Sequence, residues 1–180
     1  METKRVFIGM PADLALRSAA AGFRRDHDDL QVRWISPENL HVTLVPPWES
    51  DDPGTVCCAL EEIAAGCSAI PVRFDVVSPG PDPGSPRLLW ATGMAPVALS
   101  RLFITLRRRF GDGKEADREM LLHLTLARFD RQRGRTMPSP TLHGQVEWTG
   151  VLDELRLYES VLKPSGAEYR VLCRAPLDRA

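Results

Sequence analysis

The chain carries one short motif twice, and any fold must place both copies. Leu40 to Val45 reads LHVTLV and Leu122 to Leu126 reads LHLTL, with His41 and His123 separated by 82 residues. The same offset, without a gap, carries Arg5 onto Arg87. Arg5 to Gly9 (RVFIG) and Arg87 to Ala91 (RLLWA) are short and apolar, so each reads as a strand. A helix follows each. Pro11 and Asp13 open the first, whose Leu16, Ala19, Ala20 and Phe23 share one face at i, i+3, i+4 and i+7. Leu99, Leu102, Phe103, Leu106 and Phe110 form the stripe of the second. Strand, helix and motif strand recur in one order. That is the signature of an internal duplication, 5–44 against 87–126, inside a single domain spanning 1–180.

The other segments fit the same plan. Val32 to Trp34 is a brief strand, and the strand from Leu40 is expected to stop at Pro46-Pro47. Gly54 to Ser68 carries Val56, Leu60, Ile63 and Ala64, a third amphipathic helix, and Val72 to Val77 is a strand. Ser78 to Pro86 holds four prolines and two glycines and reads as a loop between the halves. Gln132 to Thr141 is a second polar connection. Leu155, Leu157 and Val161 alternate with polar residues, as do Tyr169, Val171 and Cys173, and Lys163 to Ala167 joins them as a hairpin. Strands and helices mix without strict βαβ alternation, which implies an α+β fold with antiparallel sheets.

Composition narrows the class. With 43% hydrophobic and 26% charged residues the chain is an ordinary soluble globular domain, not a disordered, collagenous or coiled-coil one. No apolar run approaches the ~18 to 20 residues that span a bilayer, and Met1 to Ile8 is no export signal, so a cytoplasmic protein is expected. Cys57, Cys58, Cys67 and Cys173 show neither a CxxC pair nor zinc-like spacing, so reduced thiols are expected. A net charge of −1 makes no global case for nucleic acid. Its distribution is uneven: Asp26 to Glu62 holds nine acidic residues and one arginine, Arg101 to Arg135 ten basic and five acidic ones. Arginine outnumbers lysine heavily, which reflects either genome composition or the suitability of its planar fork for phosphate.

Residues i and i+2 of a strand share a face. His41 therefore stands with Thr43, and His123 with Thr125, while Val42, Leu44, Leu124 and Leu126 face the other way. If a pseudo-twofold relates the halves, both pairs converge on one cleft. Two facing imidazoles suit a reaction in which one deprotonates a nucleophile and the other protonates a leaving oxygen. Phosphoester cleavage needs this, together with donors for the non-bridging oxygens. The Thr43 and Thr125 hydroxyls supply donors, and Arg128 adds a charge-assisted one. Zinc is the rival use of a histidine pair, but no third ligand is suggested near either motif. Of the other histidines, His27 is expected at a solvated helix end and His143 in a loop.

These residues resemble the 2H phosphoesterase superfamily, named for two HxTx motifs, and within it the bacterial and archaeal RNA 2′,3′-cyclic phosphodiesterases, also called 2′-5′ RNA ligases. The resemblance covers nearly the whole chain. It runs from Arg5-Val6-Phe7-Ile8 through Arg33-Trp34 and Glu38-Asn39-Leu40-His41 to His123-Leu124-Thr125-Leu126-Ala127-Arg128. It ends with Glu159-Ser160-Val161-Leu162 and Gly166-Ala167-Glu168-Tyr169. It implies a bilobal fold of two pseudo-twofold-related antiparallel sheets, helices outside and a central cleft. It implies His41 and His123 as catalytic residues, Thr43, Thr125 and Arg128 as substrate-binding ones, and neither metal nor cofactor.

The activity implied is hydrolysis of an RNA or nucleoside 2′,3′-cyclic phosphate to a 2′-phosphate, with 2′-5′ ligation as the reverse chemistry. His123 would activate water and His41 would protonate the 3′ oxygen. The partners expected are RNA with cyclic phosphate ends or small cyclic nucleotides, met by a monomer. Two other readings stay open: a 2H enzyme for a small cyclic nucleotide or an ADP-ribose cyclic phosphate, and a non-catalytic RNA-binding module. Where relatives often continue the first motif with Phe-Leu-Gly, this chain has Val45-Pro46-Pro47-Trp48-Glu49, a change at the substrate rim. Trp48 either stacks on a base or packs inward. Arg128, Arg131, Arg133 and Arg135 form either an RNA-backbone track or a solvated loop.

Overall fold

Alternating apolar residues build nine strands among the residues that the computed structural model describes, 3–82, 84–111, 119–129, 142–163 and 166–178. In chain order these residues form β1 (Lys4–Pro11), α1 (Leu14–Asp26), β2 (Val32–Trp34), a 3-10 turn (Pro37–Asn39), β3 (His41–Ser50), α2 (Pro53–Ala64), β4 (Ile70–Gly80) and β5 (Leu88–Gly93). Then come α3 (Val97–Phe110), β6 (Leu122–Phe129), β7 (Gly144–Leu152), β8 (Glu154–Lys163) and β9 (Gly166–Pro176). The strands form two sheets, β3-β1-β8-β9 and β2-β6-β5-β4-β7, and every pairing within them is antiparallel. The α+β architecture with antiparallel sheets is therefore as expected. One apolar core joins both sheets, from Val6, Ile8 and Met10 on β1 to Leu122 and Leu124 on β6.

Each helix leaves one sheet and packs on a strand that need not be its neighbour in sequence. α1 follows β1 but packs on β7, and α3 follows β5 but packs on β3, so each crosses to the other sheet. α2 lies on β8 and β9. Asp13 fastens α1 at its start. One carboxylate oxygen caps the helix by accepting from the Leu16 amide at 2.8 Å, and the other accepts from the Val151 amide of β7 at 2.7 Å. β7 has a glycine at the contact, because a Cβ on Gly150 would stand 2.5 Å from Leu16 Cγ.

The two motif strands are matched down to a backbone irregularity. On β1 and β3, Gly9 pairs with Thr43 and Ile8 with Val45, which leaves Leu44 unpaired. On β5 and β6, Trp90 pairs with Thr125 and Leu89 with Ala127, which leaves Leu126 unpaired. Each HxTL segment thus carries a β-bulge at its leucine, directly after the threonine. The register also corrects the expected alignment. Gly9 to Trp90 is 81 residues whereas Thr43 to Thr125 is 82, so the halves differ by one residue and Arg5 does not stand at the place of Arg87.

Three boundaries depart from expectation for physical reasons. β3 does not stop at Pro46-Pro47. It is the edge strand of its sheet, both prolines are exposed, and they fall where the register against β1 slips between Val6 and Ile8, so no ladder donor is missed. β4 runs on through Pro79 to Gly80, since β7 stops pairing at Val77 and leaves that end of β4 bound only to β5. β7 itself was not anticipated. The thiols differ too: Cys57 on α2 is bonded to Cys173 on β9, leaving Cys58 and Cys67 free. Their separation of 116 residues gave no spacing to read.

Candidate active site

The period of two does what the motifs require. Val42 and Leu44 are buried, as are Leu124 and Leu126, while His41, Thr43, His123 and Thr125 are half-buried on the opposite faces. β3 and β6 come from different sheets yet lie against each other, close enough for the charge of His123 to act on His41.

Both imidazoles are oriented alike. His41 Nδ1 donates to the Asn39 carbonyl at 2.7 Å, and His123 Nδ1 donates to the Leu121 carbonyl at 3.0 Å. A carbonyl only accepts, so each neutral ring carries its hydrogen on Nδ1 and its lone pair on Nε2. In both halves the partner is the residue two before the histidine, where the chain enters the strand.

Their surroundings are not alike. His41 is packed among aromatic rings: Phe7 at 5.0 Å between centroids, Tyr169 at 5.4 Å edge-on, and Tyr158 at 5.6 Å. These include both tyrosines of the chain. Gly9 admits the imidazole, since a Cβ there would lie 3.2 Å from His41 Cδ2 and 3.0 Å from the Val42 carbonyl oxygen. Burial strips the imidazolium of water and drives the His41 pKa down from 6.5 to about 4. The Asn39 carbonyl works in the opposite direction, and the charges of His123 and Arg128 lower it further. That coupling ties Arg128 and His123 electrostatically to His41. Burial likewise raises the Tyr158 hydroxyl. His123 has Trp90 as its aromatic neighbour, at 5.2 Å.

His41 and Thr43 lie on β3, His123 and Thr125 on β6, and Arg128 is exposed further along β6. Arg131, Arg133 and Arg135, with the connection from Gln132 to Thr141, lie outside the described residues. Trp48 stacks on Phe110 of α3 at 6.1 Å, so of its two readings the packing one is realised. His27 caps the end of α1 and stacks on Phe23, and His143 is exposed before β7. Sequence reasoning missed Phe7, Tyr158, Tyr169 and Trp90. The scarcity of tyrosine was the one available signal.

The model of the family described as LigT like Phosphoesterase matches residues 8–90. An RNA 2′,3′-cyclic phosphodiesterase of Archaeoglobus fulgidus is 26% identical over 177 residues, which is 93% of this chain and 97% of that one. Over residues 8–90, which include the first HxT motif, the chain is similar to the LigT-like phosphoesterases. Solved structures carry the same fold. A protein of Thermus thermophilus superposes on this chain with a TM-score of 0.79 at 24% identity, covering 96% of this chain and 97% of its own. LigT of E. coli, in apo form, gives 0.71 at 23% identity, covering 98% and 99%. Among the described residues no helix is long and apolar enough to cross a membrane.

Proposed function

We propose that this protein is a LigT-like phosphoesterase that opens RNA or nucleoside 2′,3′-cyclic phosphates to 2′-phosphates by two-histidine general acid/base catalysis that needs no metal. The observation that carries the reading is the paired geometry of the imidazoles. Each Nδ1–H is held by a backbone carbonyl, so each Nε2 is left for proton transfer, and the rings come from two neighbouring strands. The Archaeoglobus relative, named for this activity, supports the substrate class.

In this reading the cyclic phosphate sits between the motifs. The Thr43 and Thr125 hydroxyls and Arg128 bind its non-bridging oxygens. His123 Nε2 removes a proton from water, which attacks phosphorus, and the P–O3′ bond breaks as His41 Nε2–H protonates the 3′ oxygen. The proton taken by His123 and the one given by His41 restore the balance through solvent. His41 is neutral at neutral pH in the free protein, so the proton reaches it with the anionic substrate, whose charge favours the imidazolium. With a 5′-hydroxyl in place of water, the same groups open the ring in the same direction, breaking P–O3′ and forming a 2′-5′ phosphodiester.

We also propose a cytoplasmic monomer, since both motifs come from one chain. Within one domain, residues 5–44 and 87–126 are an internal duplication with a one-residue gap between first strand and motif strand, a reading supported by the matched bulges at Leu44 and Leu126. The test is incubation with adenosine 2′,3′-cyclic phosphate in excess EDTA, followed by phosphorus NMR, beside His41→Ala and His123→Ala. A 2′-phosphate formed by the wild type and by neither variant is expected. A 3′-phosphate product, or turnover that survives both substitutions, refutes the reading. A larger kcat/KM for an RNA with the same end, shrinking as salt rises, is expected of an RNA enzyme and not of one for small cyclic nucleotides.

A further inference from the structure

Among the described residues a single large ring flanks His123, and that ring has an unusual seat. Trp90 on β5 pairs with Thr125 of β6, so its side chain stands on the same face as the second HxT pair. Its centroid lies 5.2 Å from that of His123, the planes inclined by 56°. On its other flank is Gly80, the last residue of β4, which pairs with Leu88 at the start of β5. A Cβ on Gly80 would stand 2.3, 2.4 and 2.6 Å from the indole atoms Cε2, Cζ2 and Nε1. The indole thus occupies the space that any side chain at position 80 would need, and it is 9% exposed.

The imidazole of His123 has one hydrogen-bonded anchor among the described residues, Nδ1 to the Leu121 carbonyl. One bond to a ring atom leaves the ring plane free to tilt about it. His41, by contrast, has three aromatic neighbours to fix its plane. An indole held over a bare glycine supplies the missing constraint on His123 by dispersion and shape alone, and it neither titrates nor bonds to the imidazole.

We propose that Trp90 is a positioning residue for His123, with Gly80 as the gap that admits its ring. The proposal rests on His123 acting in the reaction proposed above. Trp90 fixes the plane of the imidazole so that Nε2 addresses the cleft while Nδ1–H stays on Leu121. A displacement of this kind, on the order of 1 Å, costs about a hundredfold in rate when the reacting groups are otherwise unchanged.

The experiment compares Trp90→Leu, Trp90→Phe and Gly80→Ala with the wild type. It reads kcat and KM on adenosine 2′,3′-cyclic phosphate and the nitrogen-15 spectrum of the neutral His123 ring. Trp90→Leu is expected to lower kcat by about thirtyfold with KM changed less than about threefold, and Trp90→Phe to recover most of the loss. Gly80→Ala, which leaves both rings chemically intact, is expected to lower kcat by crowding the indole. The ring spectrum should show the single Nδ1–H tautomer in the wild type and Trp90→Phe, and mixed tautomers in Trp90→Leu. An unchanged kcat in Trp90→Leu overturns the proposal. So does a rise in KM alone, which would make Trp90 a substrate contact, or a loss that Phe does not restore with the His123 tautomer unmoved. If Trp90→Leu does not fold, Gly80→Ala and Trp90→Phe decide the matter by the same readouts. If the wild type turns over no cyclic phosphate, the reaction is wrong, and the tautomer spectra still test the positioning.

Discussion

Replacing His41 by glutamine should remove much of the acid sensitivity of this protein's fold. The ring lies among Phe7, Tyr158 and Tyr169, and burial lowers its pKa from 6.5 to about 4. In the unfolded chain the imidazole titrates near ~6.5. Between these values the unfolded state binds a proton that the folded state refuses. The neutral ring's contribution is whole above pH 6.5, falls as the solution is acidified, and has been lost once the pH passes below about 4. At about 1.36 kcal/mol per pH unit, the interval from 6.5 to about 4 amounts to about 3.4 kcal/mol, an upper value because the half-buried ring keeps some contact with solvent. Glutamine retains a donor for the Asn39 carbonyl and has nothing to titrate. Urea unfolding of both proteins at a series of pH values between neutrality and about 4 gives the difference between them, in which the carboxylates common to both cancel. That difference should move by about 2 to 3 kcal/mol in favour of His41→Gln across the window. Parallel curves, or a variant that loses more stability than the wild type on acidification, would sink the argument.

Other substitutions separate chemistry from scaffold. Thr43→Val and Thr125→Val keep the shape of each strand and remove a hydroxyl, so each should lower kcat/KM by about ten- to a hundredfold with an unchanged melting point, measured on a nucleoside cyclic phosphate. Asp13→Ala loses both the Leu16 cap and the bond to the Val151 amide, and urea unfolding should show a cost of about 2 to 3 kcal/mol with the HxT strands intact by activity. Reducing the Cys57–Cys173 bond, or replacing both residues by serine, opens a closure of 116 residues and should cost about 2 to 5 kcal/mol in the same assay.

What could be read in advance was whatever depends on neighbours in sequence. The apolar-polar alternation of Leu40 to Val45 and of Leu122 to Leu126 gave the faces of both motif strands, and Val42, Leu44, Leu124 and Leu126 are buried accordingly. Asp13 was legible as a helix start because a cap acts within three residues. The misses all depend on position in the sheet. Pro46-Pro47 ends an interior strand but not an edge one, and nothing local says that β3 is an edge. Pro79 continues β4 only because β7 has already stopped pairing. The rings around His41 come from β1, β8 and β9, up to 128 residues away, so no window of sequence contains the pocket.

The surroundings of the two histidines differ in a way that would let near-identical motifs take the opposite roles proposed above. The backbone treats them equally, with the same bulge after the threonine and the same carbonyl two residues before the histidine. Left at that, neither imidazole would have reason to be the acid. The difference comes from side chains outside the motifs. Phe7, Tyr158 and Tyr169 enclose His41 and hold it neutral, and a charge on His123 or Arg128 reinforces this. In the proposed reaction, an anionic phosphodiester placed between the rings would offset the cost of charging the enclosed imidazole, which would make the protonation of His41 part of substrate recognition. The low-pH limb of kcat/KM near pH 4, where the free protein charges His41, should move up when Tyr169→Leu opens the enclosure. An acid limb that stays put in Tyr169→Leu would mean that the aromatic enclosure does not set the proton affinity of the site.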